Sequence, residues 1–217
     1  MRAVVVAGGE PVDRDAVHLA AADLLIAADG GAKWLDALGH QADLLVGDLD
    51  SAPAALVATW EAAGAVIERH PVDKDATDAE LAVTRAVAHG ADEVILLGAL
   101  GGLRLDHELA NLLLLADPAY ATPALDLRIV RNGTTVRAAR SGMTLELTGA
   151  VGDLVSLLPV GDDAHGVSTV GLHYPLHDSD LGLGRSRGLS NVVVTKPTSV
   201  SVDQGTLLVV ETELKTR

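Results

Sequence analysis

Ala42-Asp43-Leu44-Leu45-Val46-Gly47-Asp48-Leu49-Asp50-Ser51-Ala52-Pro53 is the stretch that decides the fold. Residues 44–46 are apolar at every position, the pattern of a strand covered on both faces of a parallel sheet. Gly47 and the acids that follow interrupt the run. Pro53, just after Asp50-Ser51, marks the start of a helix predicted over 53–63. Strand, acidic turn and helix in immediate succession form part of a βαβ unit.

The same alternation extends in both directions. Strands are predicted at 3–7, 24–28, 65–69, 94–97 and 127–130, with helices at about 13–21, 32–38, 78–89 and 104–115. The pattern changes at Asn132-Gly133, a strong turn signal. Beyond it no long helix is predicted. Short strands are expected at 134–139, 143–147, 154–159, 167–174, 191–195, 199–202 and 206–211, separated by Gly- and Asp-rich turns. The expected fold class is therefore α/β. Residues 1–132 would form a three-layer α/β domain with a mostly parallel sheet, and 133–217 an all-β, jelly-roll-like sandwich.

The composition narrows the function. With 48% apolar residues in 217 a core is easily built, although only 2% are aromatic and none is Phe. No cysteine is present, which excludes disulfides and thiolate metal sites and fits a cytoplasmic protein. No apolar stretch approaches the roughly 18 residues of a membrane span, and the N-terminal run reads as a first strand rather than a signal peptide. Formal net charge is −14; residues 1–131 carry 21 acids against 9 Lys and Arg. Such a chain has no footprint for nucleic acid. A polyanionic substrate would have to arrive with its metal and meet local cations.

Ligands of open α/β sheets bind beyond the carboxyl ends of the strands, and three acidic clusters fall there. In the first, Asp48 and Asp50 flank one residue on a tight turn and can face one Mg²⁺, which favours a few carboxylates plus phosphate oxygens. Asp50 or Ser51 serves equally as a helix cap. In the second, Lys74-Asp75-Ala76-Thr77-Asp78, the lysine can neutralise phosphate while Asp75 or Asp78 completes a metal shell; the alternative is a helix N-terminus rich in acid. In the third, Gly101-Gly102-Leu103-Arg104-Leu105-Asp106-His107, glycines let a backbone approach phosphate, and Arg104 can add a bidentate contact. Asp29-Gly30-Gly31 and Gly8-Gly9 follow the first two strands and read as turns or as further lining of the same cleft. No Walker A or Gly-x-Gly-x-x-Gly motif is present. Neither is a Gly-x-Ser-x-Gly elbow.

In the β-region, Gly171-Leu172-His173-Tyr174-Pro175-Leu176 and Arg187-Gly188-Leu189-Ser190-Asn191 stand out. Tyr174 could stack on a planar ligand, and Ser190 and Asn191 could hydrogen-bond a heteroaromatic edge. A connecting loop with a packed tyrosine is the plain alternative.

Taken in order, these motifs resemble the thiamine pyrophosphokinase family over nearly the whole chain. The resemblance implies a nucleotide-binding catalytic domain at 1–132 and a thiamine-binding domain at 133–217. It further implies a homodimer with an intersubunit active site and small-molecule substrates, ATP and thiamine. Carried over, Asp48, Asp50 and Asp78 resemble the Mg²⁺ ligands. Asp29, Gly30, Gly31, Lys74, Arg104 and Asp106 match the nucleotide-binding region, with Lys74, Asp75 and Asp106 as catalytic candidates. Tyr174, Ser190 and Asn191 match the thiamine loop. The chain departs from the family pattern at Leu103, inserted between Gly102 and Arg104, and at Tyr174, where some relatives carry Trp. The implied reaction makes thiamine diphosphate and AMP. The acidic clusters alone suit equally a pyrophosphokinase or metal-dependent phosphohydrolase acting on another small alcohol or nucleotide. A non-catalytic thiamine or nucleotide sensor would not require so complete a set of acids.

Overall fold

A computed structural model describes residues 1–10 and 12–214, so the last three residues of the expected second domain lie outside the described residues. The chain divides into two compact units, Met1–Leu114 with Ala124–Asn132, and Leu115–Pro123 with Gly133 onward.

The first unit contains β1 (Arg2–Val6), β2 (Leu24–Ala28), α1 (Gly31–Ala37), β3 (Leu44–Gly47), α2 (Ala54–Ala62), β4 (Val66–Arg69), α3 (Asp78–Ala88), β5 (Glu93–Leu97), α4 (Leu105–Leu114) and β6 (Asp126–Arg131). Its strands lie in the order β6-β5-β1-β2-β3-β4, all parallel, with Val4 opposite both Leu25 and Ile95. Successive side chains of β1, β2 and β5 are buried on opposite faces. Val4, Val6, Leu25, Ala27, Ile95 and Leu97 pack with Trp34 and Leu35 of α1 and Val57 and Trp60 of α2. Helix α3 packs on the strands too, through buried Ala79, Ala82, Val83 and Ala86. A core without Phe is thus filled by aliphatic residues and by both tryptophans. The strand order runs one way from β1 to β4 and the other way from β5 to β6. Between β1 and β5 it reverses, which opens a crevice at their carboxyl ends.

The second unit contains β7 (Thr134–Arg140), β8 (Met143–Glu146), β9 (Leu154–Pro159), β10 (Ala164–Val170), β11 (Ser179–Leu181), β12 (Asn191–Val192), β13 (Ser199–Val202) and β14 (Thr206–Thr212). They form two antiparallel layers, β12-β9-β14-β7 and β11-β10-β13-β8. Val155, Leu157, Leu207 and Val209 of the first share one core with Val167, Leu181, Val200 and Val202 of the second. A buried ion pair here, Arg137–Glu211 at 2.6 Å, is also hydrogen-bonded: Glu211 accepts the N–H groups of Thr148 and Gly149 at 2.8 Å. Those extra partners offset the cost of burying the charges.

Several sequence-based bounds shift. The helix expected at about 13–21 keeps its bounds, Asp13–Ala21, and is of the 3-10 type. The strand expected at 167–174 stops at Val170. Gly171 there takes φ 77°, and an added Cβ would lie 2.5 Å from the Thr195 carbonyl oxygen. The strand expected at 191–195 shortens to β12, and the three-residue β11 was not anticipated. Among the described residues no helix is long and apolar enough to cross a membrane.

Candidate active site

A cleft of about 880 Å³ opens in the first unit over the carboxyl ends of its strands. Ala7-Gly8-Gly9 after β1 and Gly98-Ala99 after β5 form its floor at the reversal point, and the Gly9 N–H donates to the Gly98 carbonyl at 2.8 Å. Asp29-Gly30, Asp48, Asp50 and Ser51, the 74–80 segment, and Arg104, His107, Glu108 and Asn111 form the walls. Gly31 does not line the cleft. It is buried, and a Cβ there would meet the Val6 carbonyl oxygen at 1.9 Å, so this glycine lets α1 pack against β1.

At the heart of the cleft, carboxylate oxygens of Asp29, Asp48 and Asp78 all lie within 4.8 Å of one another. Asp29 and Asp48 come from two strand ends and Asp78 from the start of a helix. Asp29 follows β2 in a left-handed conformation, φ 40°. Asp48 follows β3, and Asp78 opens α3. The Thr77 hydroxyl caps that helix by accepting the Glu80 N–H at 3.2 Å, a contact worth about 1 kcal/mol. The Lys74 ammonium stands 3.3 Å from Asp48 Oδ2 and 3.0 Å from Asp78 Oδ1.

The environment sets unequal proton affinities. Burial pushes the Asp29 carboxyl up; the Ser51 hydroxyl and N–H oppose this, and nearby Asp78 adds to it. The Asp50 N–H lowers Asp48 most, against some burial, with Lys74 helping. Burial works against the charge on Lys74, but the two carboxylates outweigh it and raise its pKa. The cluster is therefore a negatively charged pocket plugged by its own cation.

Other expected residues fall unequally. Asp50 is exposed and on the same turn; it lines the cleft but is not one of the three clustered carboxylates, and its Oδ1 accepts the Ser51 hydroxyl at 2.9 Å. Asp75 is exposed and lines the cleft. Arg104 lines it too, with its guanidinium bound in fork geometry to Asp106 at 2.9 and 2.5 Å. That guanidinium holds the Asp106 carboxyl down to about 2. Asp106 itself is absent from the lining. Asn111, buried, donates to the Ala99 carbonyl at 2.8 Å and anchors α4 to the floor. The clustering of Asp29 with Asp48 and Asp78 was missed from sequence; the turn after β2 showed an acid, but not that it meets the acids after β3 and at the start of α3.

In the second unit, Tyr174 is 66% exposed and makes an edge contact with His173, ring centroids 4.5 Å apart. Ser190 is also exposed and left-handed, φ 57°, and its N–H donates to the Ser156 hydroxyl at 3.0 Å. Asn191 is different: it is buried and its amide is turned onto backbone, not outward. Arg187 donates to the Asp180 carbonyl.

Comparison with known proteins matches both units. A family model described as the thiamin pyrophosphokinase catalytic domain matches residues 17–127. One described as the thiamin pyrophosphokinase vitamin B1 binding domain matches 143–207. A thiamine pyrophosphokinase of Bacillus subtilis is 25% identical over 164 residues, covering 76% of this chain and 75% of its own. Among solved structures, a thiamine pyrophosphokinase from B. subtilis superposes with TM-score 0.85 at 24% identity, over 99% of this chain and 100% of that one. The thiamin pyrophosphokinase from Geobacillus thermodenitrificans gives 0.80 at 25%, over 100% and 99%. That from Candida albicans gives 0.82 at 15%, over 98% and 89%, a likeness of fold.

Proposed function

The chain belongs to the thiamin pyrophosphokinase family, and from that premise we propose how its residues transfer the pyrophosphoryl group of ATP to the hydroxyl of thiamine. The observation that carries the reading is the Asp29–Asp48–Asp78 cluster around Lys74, at the strand-order reversal where an α/β sheet binds ligands.

The donor set fits Mg²⁺: hard carboxylate oxygens drawn together from two strand ends and the start of α3. Asp29, Asp48 and Asp78 would hold the ion, and Asp50 supplies a further carboxylate from the exposed side of the turn. An ion held there would supply positive charge against the phosphates. Lys74, kept protonated by its two carboxylates, adds a mobile positive charge to the phosphates. Arg104, whose Nε and Nη2 are held by Asp106, keeps Nη1 to face a phosphate at the rim. The thiamine oxygen forms a bond to the β-phosphorus as the bond from that phosphorus to the α–β bridging oxygen breaks, and AMP departs. Catalysis of this kind is chiefly positioning and charge neutralisation. The hydroxyl proton needs an acceptor. We assign it to Asp75, which lines the cleft unpaired with arginine, rather than to Asp106, whose carboxylate is engaged by Arg104 and lies outside the lining.

In the residue 133–217 domain, the exposed Tyr174 ring offers a platform for a flat heteroaromatic ring, and exposed Ser190, next in the chain to the Asn191 that bonds Tyr174, offers a hydroxyl. Residues 1–132 serve as the nucleotide domain. A homodimer agrees with the family resemblance and with Leu105, Leu109 and Leu113, which form one exposed stripe along α4 at 68%, 51% and 56%. A cytoplasmic location agrees with the lack of cysteine.

The test is direct. Pure protein is incubated with ATP, Mg²⁺ and thiamine, and products are followed by mass spectrometry. AMP and thiamine diphosphate should appear in equal amounts, and neither without thiamine. AMP or ADP released at the same rate without thiamine would turn the reading into simple hydrolysis.

A further inference from the structure

We infer that Asn191 is a positioning residue that acts on thiamine through Tyr174: its buried carboxamide grips both backbone polar groups of Tyr174 and so aims the exposed ring. The inference rests on the reading of Tyr174 as the thiamine platform.

The hydrogen-bond inventory of Asn191 leaves little for a ligand. Its Oδ1 accepts the Tyr174 N–H at 3.0 Å and the Val192 N–H at 2.9 Å, which uses both lone pairs. Its Nδ2 donates to the Tyr174 carbonyl at 2.7 Å. Only one N–H remains, on a residue 8% exposed, whereas Tyr174 is 66% exposed. Asn191 therefore lies beneath the platform and not on it.

The rest of the segment is held the same way. Pro175 fixes its own φ. On its far side, Leu176 donates its N–H to the Thr169 hydroxyl at 2.9 Å, and its carbonyl accepts the Thr169 N–H at 3.0 Å. Thr169 is 4% exposed. Two buried polar side chains thus clamp the chain on either side of Pro175. Tyr174 is left with side-chain freedom only, and its ring is flanked edge-on by His173. A platform pinned before the ligand arrives loses little freedom on binding, and that raises affinity.

The chain has only two tyrosines, Tyr120 and Tyr174, so tyrosine-selective isotope labelling yields two amide resonances. The Tyr174 amide should be protected from hydrogen exchange in the wild type. Asn191→Ala should shift that resonance, speed its exchange and leave the Tyr120 resonance in place. It should also raise KM for thiamine by about tenfold, as expected for a lost buried hydrogen-bond pair, with KM for ATP unchanged. In a Tyr174→Ala background the same substitution should change thiamine KM by less than about twofold, because the ring it aims is gone. An Asn191→Ala effect undiminished in that background means direct contact with the vitamin and overturns the inference. So does an unprotected Tyr174 amide. A thiamine KM unchanged in Tyr174→Ala alone overturns the platform reading itself, and the inference with it. If Asn191→Ala does not fold, Asn191→Asp keeps the size and the acceptor but removes the donor to the Tyr174 carbonyl; the same pattern of shifts and KM is expected.

Discussion

Lys74 holds the place a divalent cation would dispute. Its ammonium lies between Asp48 and Asp78, both of which belong to the cluster that fits Mg²⁺. An ammonium and a metal compete for the same oxygens, so a divalent cation entering the cluster would have to displace Lys74 from Asp48 or Asp78. Asp29 stands beside this pair with a raised pKa, because burial and a neighbouring carboxylate both disfavour its charge. A bound cation reverses that penalty. Mn²⁺ affinity, read by paramagnetic resonance on protein without nucleotide, should accordingly fall at least about tenfold in both Asp48→Asn and Asp29→Asn. Asp75→Asn should bind Mn²⁺ as the wild type does and lose kcat by about two orders of magnitude or more, as for a removed general base. Wild-type Mn²⁺ affinity in Asp29→Asn would remove that residue from the metal shell.

Helices and strands carry the site by their ends. The 3-10 helix Asp13–Ala21 is tied to the end of β6 by one buried acid: both carboxylate oxygens of Asp15 accept the Asn132 N–H, at 2.9 and 3.1 Å. Burial raises the pKa of Asp15 and the Asn132 N–H only partly offsets it. A raised acid means that the folded state prefers the neutral form. Its contribution to stability is full below the unfolded value near 3.8 and is lost as pH rises through the folded value. Asp15→Asn keeps an acceptor for Asn132 and has no charge to bury. The melting temperature of Asp15→Asn relative to wild type should therefore climb between about pH 4 and pH 7, as followed by scanning calorimetry. A difference that stays level across that range would show that burial of this charge does not limit stability.

At the scale of the whole molecule, the acidic character is concentrated in the first unit, yet α4 shows three leucines to solvent on one side while His107, Glu108 and Asn111 of the same helix line the cleft. An apolar stripe beside a catalytic cleft is what a second copy of the chain would cover. Light scattering should give twice the chain mass of 22.3 kDa. Leu109→Glu should return the protein to a monomer and depress turnover, since a buried charge at an interface is costly. A fully active wild-type monomer would refute the dimeric site.

Much of this was legible in the sequence, because both signals it carries are local. Uninterrupted apolar runs such as 24–28 and 44–46 announce strands buried on two faces, and Asp29, Asp48 and Asp50 just beyond them place carboxylates at the strand ends. What the sequence by itself determined was therefore the α/β alternation, the change to β-structure after Asn132, and the chemistry available at each strand end. Only the tertiary structure decided which acids meet. Asp29 joins Asp48 and Asp78 because β2, β3 and the start of α3 lie side by side, a long-range fact that no spacing along the chain encodes. It likewise turned Asn191 inward onto Tyr174. Residue type limits what a side chain can do; the partners that fill its hydrogen-bonding capacity are assigned only when distant segments pack.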